Sequence, residues 1–229
     1  MTYQDINVKP IETDSSFRMK AYRALKAAIM EMDIYSHSEE IRLEERQLSE
    51  KLGVSRTPIR EAMTLLEQEG FVRSVPRRGI FVVRKTKQEI LEMITVWAAL
   101  EGMAARLACE IASEADIRKL RENVQAFANR DPEEFVSEYS EANLAFHKLI
   151  IRLSGCELIA QTTESLFPHM RGVRKVTIGQ DHRAQRSILD HKRIVDAIET
   201  RNADLAERLV REHTLGLGRH VEEHGEFLN

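Results

Sequence analysis

Cysteine is nearly missing from this chain. Cys109 and Cys156 are the only two, and no CxxC pair occurs. A disulfide scaffold or a zinc–thiolate framework is therefore excluded, and both thiols are expected as small buried hydrophobes. Long apolar runs are missing as well. Stretches such as Phe81-Val82-Val83 fall far short of the roughly 20 residues needed to span a bilayer. The opening MTYQDINVKP has no basic-then-apolar pattern, so a secretory leader is not expected and a cytoplasmic location without membrane attachment is. The hydrolase signatures HExxH and GxSxG do not occur, and no internal repeat or low-complexity tract is visible. What is present, 42% hydrophobic and 31% charged residues over 229 positions, suits a folded chain with one large core or two small ones.

The formal net charge of −3 conceals an asymmetry. Residues 17–86 carry 14 Lys and Arg against 10 Asp and Glu, a net of +4, whereas residues 87–229 carry 19 against 24, a net of −5. Opposite signs in two stretches predict two domains with different partners. The expected division is a tail over 1–16, a basic domain over 17–86 and an acidic one over 87–229, joined near Lys85-Thr86-Lys87.

Apolar residues at Ala21, Leu25, Ala28, Ile29 and Met32 predict an amphipathic helix over 17–32. An irregular polar segment, IYSHSEEIR, follows. A short helix is expected over 44–52, with Gly53 as the turn after it. Thr57 as N-cap and Pro58 as first helical residue predict a third helix, whose inward stripe is Ile59, Ala62, Met63 and Leu66. FVRSV and IFVV, separated by PRRG, read as a β-hairpin. The order is that of a helix-turn-helix followed by a wing. From Lys87 onward only helical signals occur. Six helices are expected, over 87–112, 113–129, 131–153, 156–178, 183–200 and 202–224. Starts are marked at Ser113-Glu114-Ala115-Asp116, at Asp131-Pro132-Glu133-Glu134 and at Asn202. The fold class is mainly α, a winged helix-turn-helix joined to an all-α bundle.

Arg56 and Arg60 sit on the opening turn of the third helix, where the helix dipole already makes the potential positive. Stability favours cations at the other end. An external anion resolves the conflict: a recognition helix enters the major groove by its N-terminus, where arginines meet phosphates and guanine edges. Ser55 and Thr57 add hydroxyls suited to phosphate, Arg46 is placed to reach the same groove, and Arg77, Arg78 and Gly79 form the hairpin tip. The stretch ERQLSEKLGVSRTPIREAMTLLEQEGFVRSVPRRGIFV resembles the winged helix of GntR-family bacterial transcription regulators over Ala21 to Val83. The resemblance implies that Arg46, Arg56 and Arg60 read bases and phosphates, with Gly79 at the minor groove.

Asn143 and His147 are four apart and share a helix face. His191 and His213 lie on the two last helices, among apolar neighbours. Three inward imidazoles in a helical bundle could converge on one ion, although a histidine on an apolar face is more often a bonded core residue. The remaining histidines, His37, His169, His182, His220 and His224, read as surface or ordinary polar residues. Residues 87–225 are similar to the FCD domain of the FadR-like branch, by AALEGMAARLACE, NLAFHKLI, DHKRIVDAIETRNADLAERLV and the downstream His213, with a six-helix count like that of the VanR-like variant. That resemblance implies Asn143, His147, His191 and His213 as metal ligands beneath a cavity for a small organic acid. The implied ion is zinc, with nickel or iron as alternatives. Two departures stand out. Position 143 is Asn where Asp is commoner, and Trp97 replaces a usual arginine, which points to a larger or more apolar effector. Arg171 and Arg174 are candidates to face that cavity.

The expected function is a dimeric, ligand-responsive repressor that binds a palindromic DNA operator and senses an organic acid. The alternative is a metal-dependent hydrolase using the three-histidine site, which lacks a recognisable base or nucleophile beside it.

Overall fold

A computed structural model describes residues 17–36, 39–127 and 135–228. The chain divides into two units, one built from residues 17–29 and 42–81, the other from 30–41 and 82–228.

In the first unit, α1 (Phe17–Glu31) buries Ala21, Leu25 and Ile29 at helical spacing. The short strand β1 (Arg42–Leu43) precedes α2 (Glu45–Leu52), and Gly53 closes α2 with a left-handed φ of 65°. Helix α3 (Arg56–Gln68) then buries Ile59, Ala62, Met63 and Leu66, the stripe the spacing predicts. Its start differs from the expected cap. Ser55 is the N-cap, with no side-chain cap bond, so Arg56 is itself the first helical residue, and Thr57 and Pro58 lie inside the first turn. Strands β2 (Val72–Val75) and β3 (Gly79–Val82) form the hairpin, and the sheet order is β1-β3-β2. Arg42 pairs with Phe81 and Leu43 with Ile80, antiparallel. A two-residue strand has too little alternation to be visible in sequence, which is why β1 reads as irregular.

In the second unit, Thr86 opens α4 (Lys87–Ile111) with a full capping box to Glu89. Helix α5 (Glu114–Gln125) starts at the predicted Ser113 cap, and Asn202 caps α10 (Ala203–His224). Between them run α6 (Val136–Leu153), α7 (Glu157–Glu164), α8 (Phe167–Thr177) and α9 (Arg183–Glu199), and a 3-10 turn over Gly225–Leu228 follows α10. The segment expected as one helix over 156–178 is two. Pro168 sits in the first turn of α8 and cannot donate to the carbonyl four residues back, so the helix stops and restarts around Ser165-Leu166. The second unit therefore has seven α-helices among the described residues. The expected start at Asp131-Pro132 lies outside them.

Long α4 packs along α10 and against α6, with Ile90, Ile94, Trp97, Ala104 and Ala105 buried. Helix α8 is buried on nearly all sides, including His169, Arg171 and Arg174. The polar-looking segment after α1 is anchored to this unit. Ile34 and Tyr35 are buried, and the Tyr35 hydroxyl hydrogen-bonds His169 Nδ1 at 2.7 Å. Arg84 donates to the Ile34 carbonyl. Among the described residues no helix is long and apolar enough to cross a membrane.

Candidate nucleic-acid interface and candidate metal centre

The packing that buries one face of α3 leaves the opposite one outside. Ser55, Arg56 and Thr57 are exposed, and Arg60, one turn further along, is 65% exposed. Arg60 Nε meets Glu45 Oε2 at 2.7 Å, and Arg46 stands 4.0 Å from Glu50, both in exposed pairs that contribute little and break readily. Arg56 has no hydrogen-bond or ion-pair partner among the described residues. At the wing tip, Arg77 (φ 64°) and Gly79 (φ 114°) take the turn, and exposed Arg78 lies over the Phe81 ring at 5.4 Å. Gly79 is favoured by its φ, which disfavours a side chain; a Cβ there would stand 3.0 Å from Arg42 Nε, the mobile end of an exposed side chain. Arg42 thus adds a cation to the wing. Sequence reading passed over it because it lay in the segment taken as irregular.

The second site is assembled from α4, α6, α8, α9 and α10. His147, His191 and His213 bring ligand atoms within 4.8 Å of one another. The Nε2 atoms of His191 and His213 are 3.3 Å apart, which matches the edge of about 3.3 Å expected for nitrogens about 2.05 Å from a tetrahedral ion. Asn143, on the same face of α6 as His147, is buried, and its Oδ1 lies 3.5 Å from Ser187 Oγ, which is equally distant from His191 Nε2. Phe146 stacks on the His191 ring at 3.8 Å and holds its plane.

Partners behind the rings aim them. His147 Nδ1 bonds Glu101, whose other oxygen accepts from Trp97 Nε1 at 2.8 Å and Thr214 Oγ1 at 2.9 Å. Burial pushes the Glu101 carboxyl up, while Arg174, these donors and His213 pull it back. With two donors on one oxygen and a guanidinium nearby, we assign the carboxylate to Glu101 and the proton to His147 Nδ1. His147 Nε2 then carries a bare lone pair, buried and without a partner. On the other side, Asp190 Oδ2 lies 3.1 Å from His213 Nδ1. Burial holds His147 and His191 well below the usual histidine range, so both are neutral, as metal ligation requires. The donor set fits a divalent transition ion: an orphaned imidazole nitrogen, two further convergent nitrogens, an amide oxygen, and carboxylates behind two of the rings. Glu101 and Asp190 escaped sequence reading. Their signal, an acid packed against an inward histidine, exists only in three dimensions.

The three cavity candidates part company. Arg171 does not face the histidines. It reaches the Glu31 carbonyl at 2.7 Å, the Glu31 carboxylate at 3.0 Å and Glu141 at 2.8 Å, and is spent on structure. Arg174, one turn on, is buried with its Cζ 5.8 Å from the Trp97 ring centroid, and neither terminal nitrogen has a hydrogen-bond partner among the described residues. Trp97 is fully buried and borders a largely apolar cleft of about 560 Å³ with Phe167, Ile151 and Ala160. A separate cleft of about 410 Å³ between α9 and α10 is lined by Ser187, Asp190 and His213, so it leads to the histidines. His169 and His220 are buried and not surface residues, bonded to Tyr35 and Gln180. Cys109 is buried as expected, but Cys156 is half-buried.

A winged helix with exposed arginines on its reading helix, and a helical unit with a polar centre, define a DNA-binding transcription regulator. Residues 18–82 match the bacterial regulatory proteins of the gntR family, and residues 92–216, more than half the chain, match the FCD domain. The chain belongs to the GntR family of transcription regulators, in the branch carrying an FCD domain. It is 29% identical over 176 residues to the HTH-type transcriptional regulator YdhC of Bacillus subtilis, covering 75% of this chain and 77% of that one. It is 25% identical to the HTH-type transcriptional repressor RspR of Escherichia coli, covering 75% of each. The solved structure of E. coli McbR/YncC superposes with a TM-score of 0.73 at 21% identity, over 92% of this chain and 99% of that one. The family and these relatives are regulators and not enzymes, and nothing supports the hydrolase alternative.

Proposed function

We propose that this protein is a metal-containing, organic-acid-responsive repressor that binds a palindromic operator as a homodimer in the cytoplasm. The observation that carries the sensing half is the buried, unpartnered Nε2 of His147, facing two other imidazoles and backed by Glu101. Asn143, His147, His191 and His213 would hold the ion, with zinc favoured by an imidazole-rich donor set. The ion would supply positive charge and coordination positions open to an oxygen donor. Glu101 and Asp190 orient the rings, and Arg174 offers guanidinium edges to an anion. The head reads DNA through Arg46, Arg56 and Arg60, with Ser55, Thr57, Arg78 and Gly79 on phosphate and groove.

Dimerisation is supported by Val96, Met103 and Ile111, an exposed apolar stripe along α4, with exposed Leu158 on α7. One winged helix reads too few bases for useful specificity, so two-fold symmetry and a palindrome belong together. Relatives of both signs occur, the repressor RspR at 25% identity and the Glc operon transcriptional activator of Escherichia coli at 29%, so operator titration with and without effector decides the sign.

Metal analysis is the test. The wild type should carry about one divalent ion per chain, His147→Ala and His191→Ala should lose it, and Glu101→Gln should weaken binding about 10- to 100-fold. Affinity should hold through the ordinary imidazole range and fall only at lower pH, because burial keeps His147 and His191 neutral there and protonated rings do not ligate. Unchanged stoichiometry in both alanine variants would return these histidines to the core.

A further inference from the structure

The carboxylate behind His147 is held by more than the imidazole. Glu101 is fully buried. Its Oε2 accepts from Trp97 Nε1 at 2.8 Å and from Thr214 Oγ1 at 2.9 Å, while Oε1 meets His147 Nδ1. A carboxylate taken out of water is costly, and for stability alone an apolar residue of similar volume would serve as well. Two donors on the far oxygen serve a different end. They fix the plane of the carboxylate, and with it the direction from which the near oxygen meets the ring.

Both donors are themselves held in place. Trp97 stands four residues before Glu101 on α4, so the two side chains share a face and meet within about one turn. Its indole is fully buried, with the Phe167 ring centroid at 6.2 Å and Arg174 Cζ at 5.8 Å from its own. Thr214 is fully buried on α10 and directly follows His213. The helix that carries one imidazole is thus tied to the acid behind another. Glu101, from α4, joins α6 at His147 to α10 at Thr214.

The same bond gives Trp97 a task other than the expected one. Its place in the chain, where an arginine is usual, pointed to a larger or more apolar effector. An indole has one polar hydrogen, and Glu101 holds it. Trp97 has no donor left for a ligand.

We infer that Trp97 and Thr214 are positioning residues of the metal centre, which act through Glu101 to aim His147 Nε2 at the ion. This rests on the metal reading above and adds to it two residues that do not themselves ligate.

The experiment measures the zinc affinity of the full chain by competition with a chromophoric chelator, and the d–d absorption of the cobalt(II)-loaded protein. The variants are Thr214→Val, Thr214→Ser and Trp97→Phe. Valine keeps the shape of threonine and removes the donor, serine keeps the donor and removes a methyl, and phenylalanine keeps an aromatic ring without the N–H. Thr214→Val and Trp97→Phe should each bind zinc about 10-fold more weakly, the low end for loss of an outer partner, with one ion per chain still bound at saturation. Thr214→Ser should stay within about twofold of the parent, because the bond to Glu101 survives. The cobalt spectrum should shift in Thr214→Val and not in Thr214→Ser. Should Trp97→Phe fail to fold, the two Thr214 variants decide. A serine variant as weak as the valine variant would make packing the cause and overturns the inference. Parent-like zinc affinity and cobalt spectrum in Thr214→Val overturn it too. If His147→Ala loses zinc while Thr214→Val is indifferent, this inference fails and the metal reading stands. Zinc retained in both His147→Ala and His191→Ala sinks the metal reading beneath it.

Discussion

Arg171 and Arg174 stand three residues apart on one buried helix and do opposite things. Arg171 ends in two carboxylates and a carbonyl, whereas Arg174 ends over the Trp97 ring with both terminal nitrogens unpartnered among the described residues. The difference is one of partners supplied by other helices, not of residue type. His169 shows the same dependence. It is 4% exposed, and burial pushes it down to about 4, with Lys85 adding to the effect and Glu89 opposing it. Its neutral ring accepts from the Tyr35 hydroxyl, which burial in turn pushes up. In the unfolded chain the ring titrates near 6.5. Between these values the unfolded state binds more protons, so the stabilisation is complete above pH 6.5 and is lost as pH falls toward 4. The loss amounts to roughly 3 kcal/mol. Urea denaturation of the wild type and His169→Gln across pH 6.5 to 4.5 checks this. The variant should show the shallower decline, and identical slopes would mean that His169 does not govern it.

At the scale of elements, α8 decides the shape of the helical unit. Pro168 ends the run from α7 and lets α8 start in a new direction, deep in the bundle. Gly172 then admits the anchoring segment. A Cβ at this position would fall 2.5 Å from Tyr35 Cδ2 and 3.2 Å from Cε2, and the ring cannot retreat without giving up His169. Alanine is the better helix former, so propensity alone favours Gly172→Ala by about 1 kcal/mol. Overpacking typically costs about 1–3 kcal/mol and should win. The variant is expected to unfold at lower urea with an unchanged m-value, and a rise in midpoint would show that the clash relaxes at no cost. The capping box at Thr86 has a comparable role at the start of α4, where it fixes the first turn of the helix that carries Trp97 and Glu101.

For the whole molecule, the proposed function gives each of two oppositely charged units its own partner, and an effector would alter DNA affinity only through a difference in its affinity for the two functional states. The DNA-reading assignment is open to direct measurement. Arg56→Ala and Arg60→Ala should each cost about 1–3 kcal/mol on an operator selected from random duplexes. Arg56 should give the larger loss, because Arg60 must first leave Glu45. Fluorescence anisotropy at one fixed salt concentration is the readout, since salt alone shifts such affinities widely. Equal binding by parent and either variant would remove that arginine from the interface.

Local physics carried much of this into the sequence. The stripe Ile59, Ala62, Met63 and Leu66, the turn at Gly53, the caps at Ser113 and Asn202, and the shared face of Asn143 and His147 are all set by residues within a turn or two of each other. Periodicity and capping report such short-range relations directly. Only the tertiary structure decided which buried charges are satisfied. Glu101 meets His147 across 46 positions, and Tyr35 meets His169 across 134. Such pairs leave no periodic trace, because what selects them is the cost of leaving a polar group buried without a partner, and burial is a property of the packed bundle.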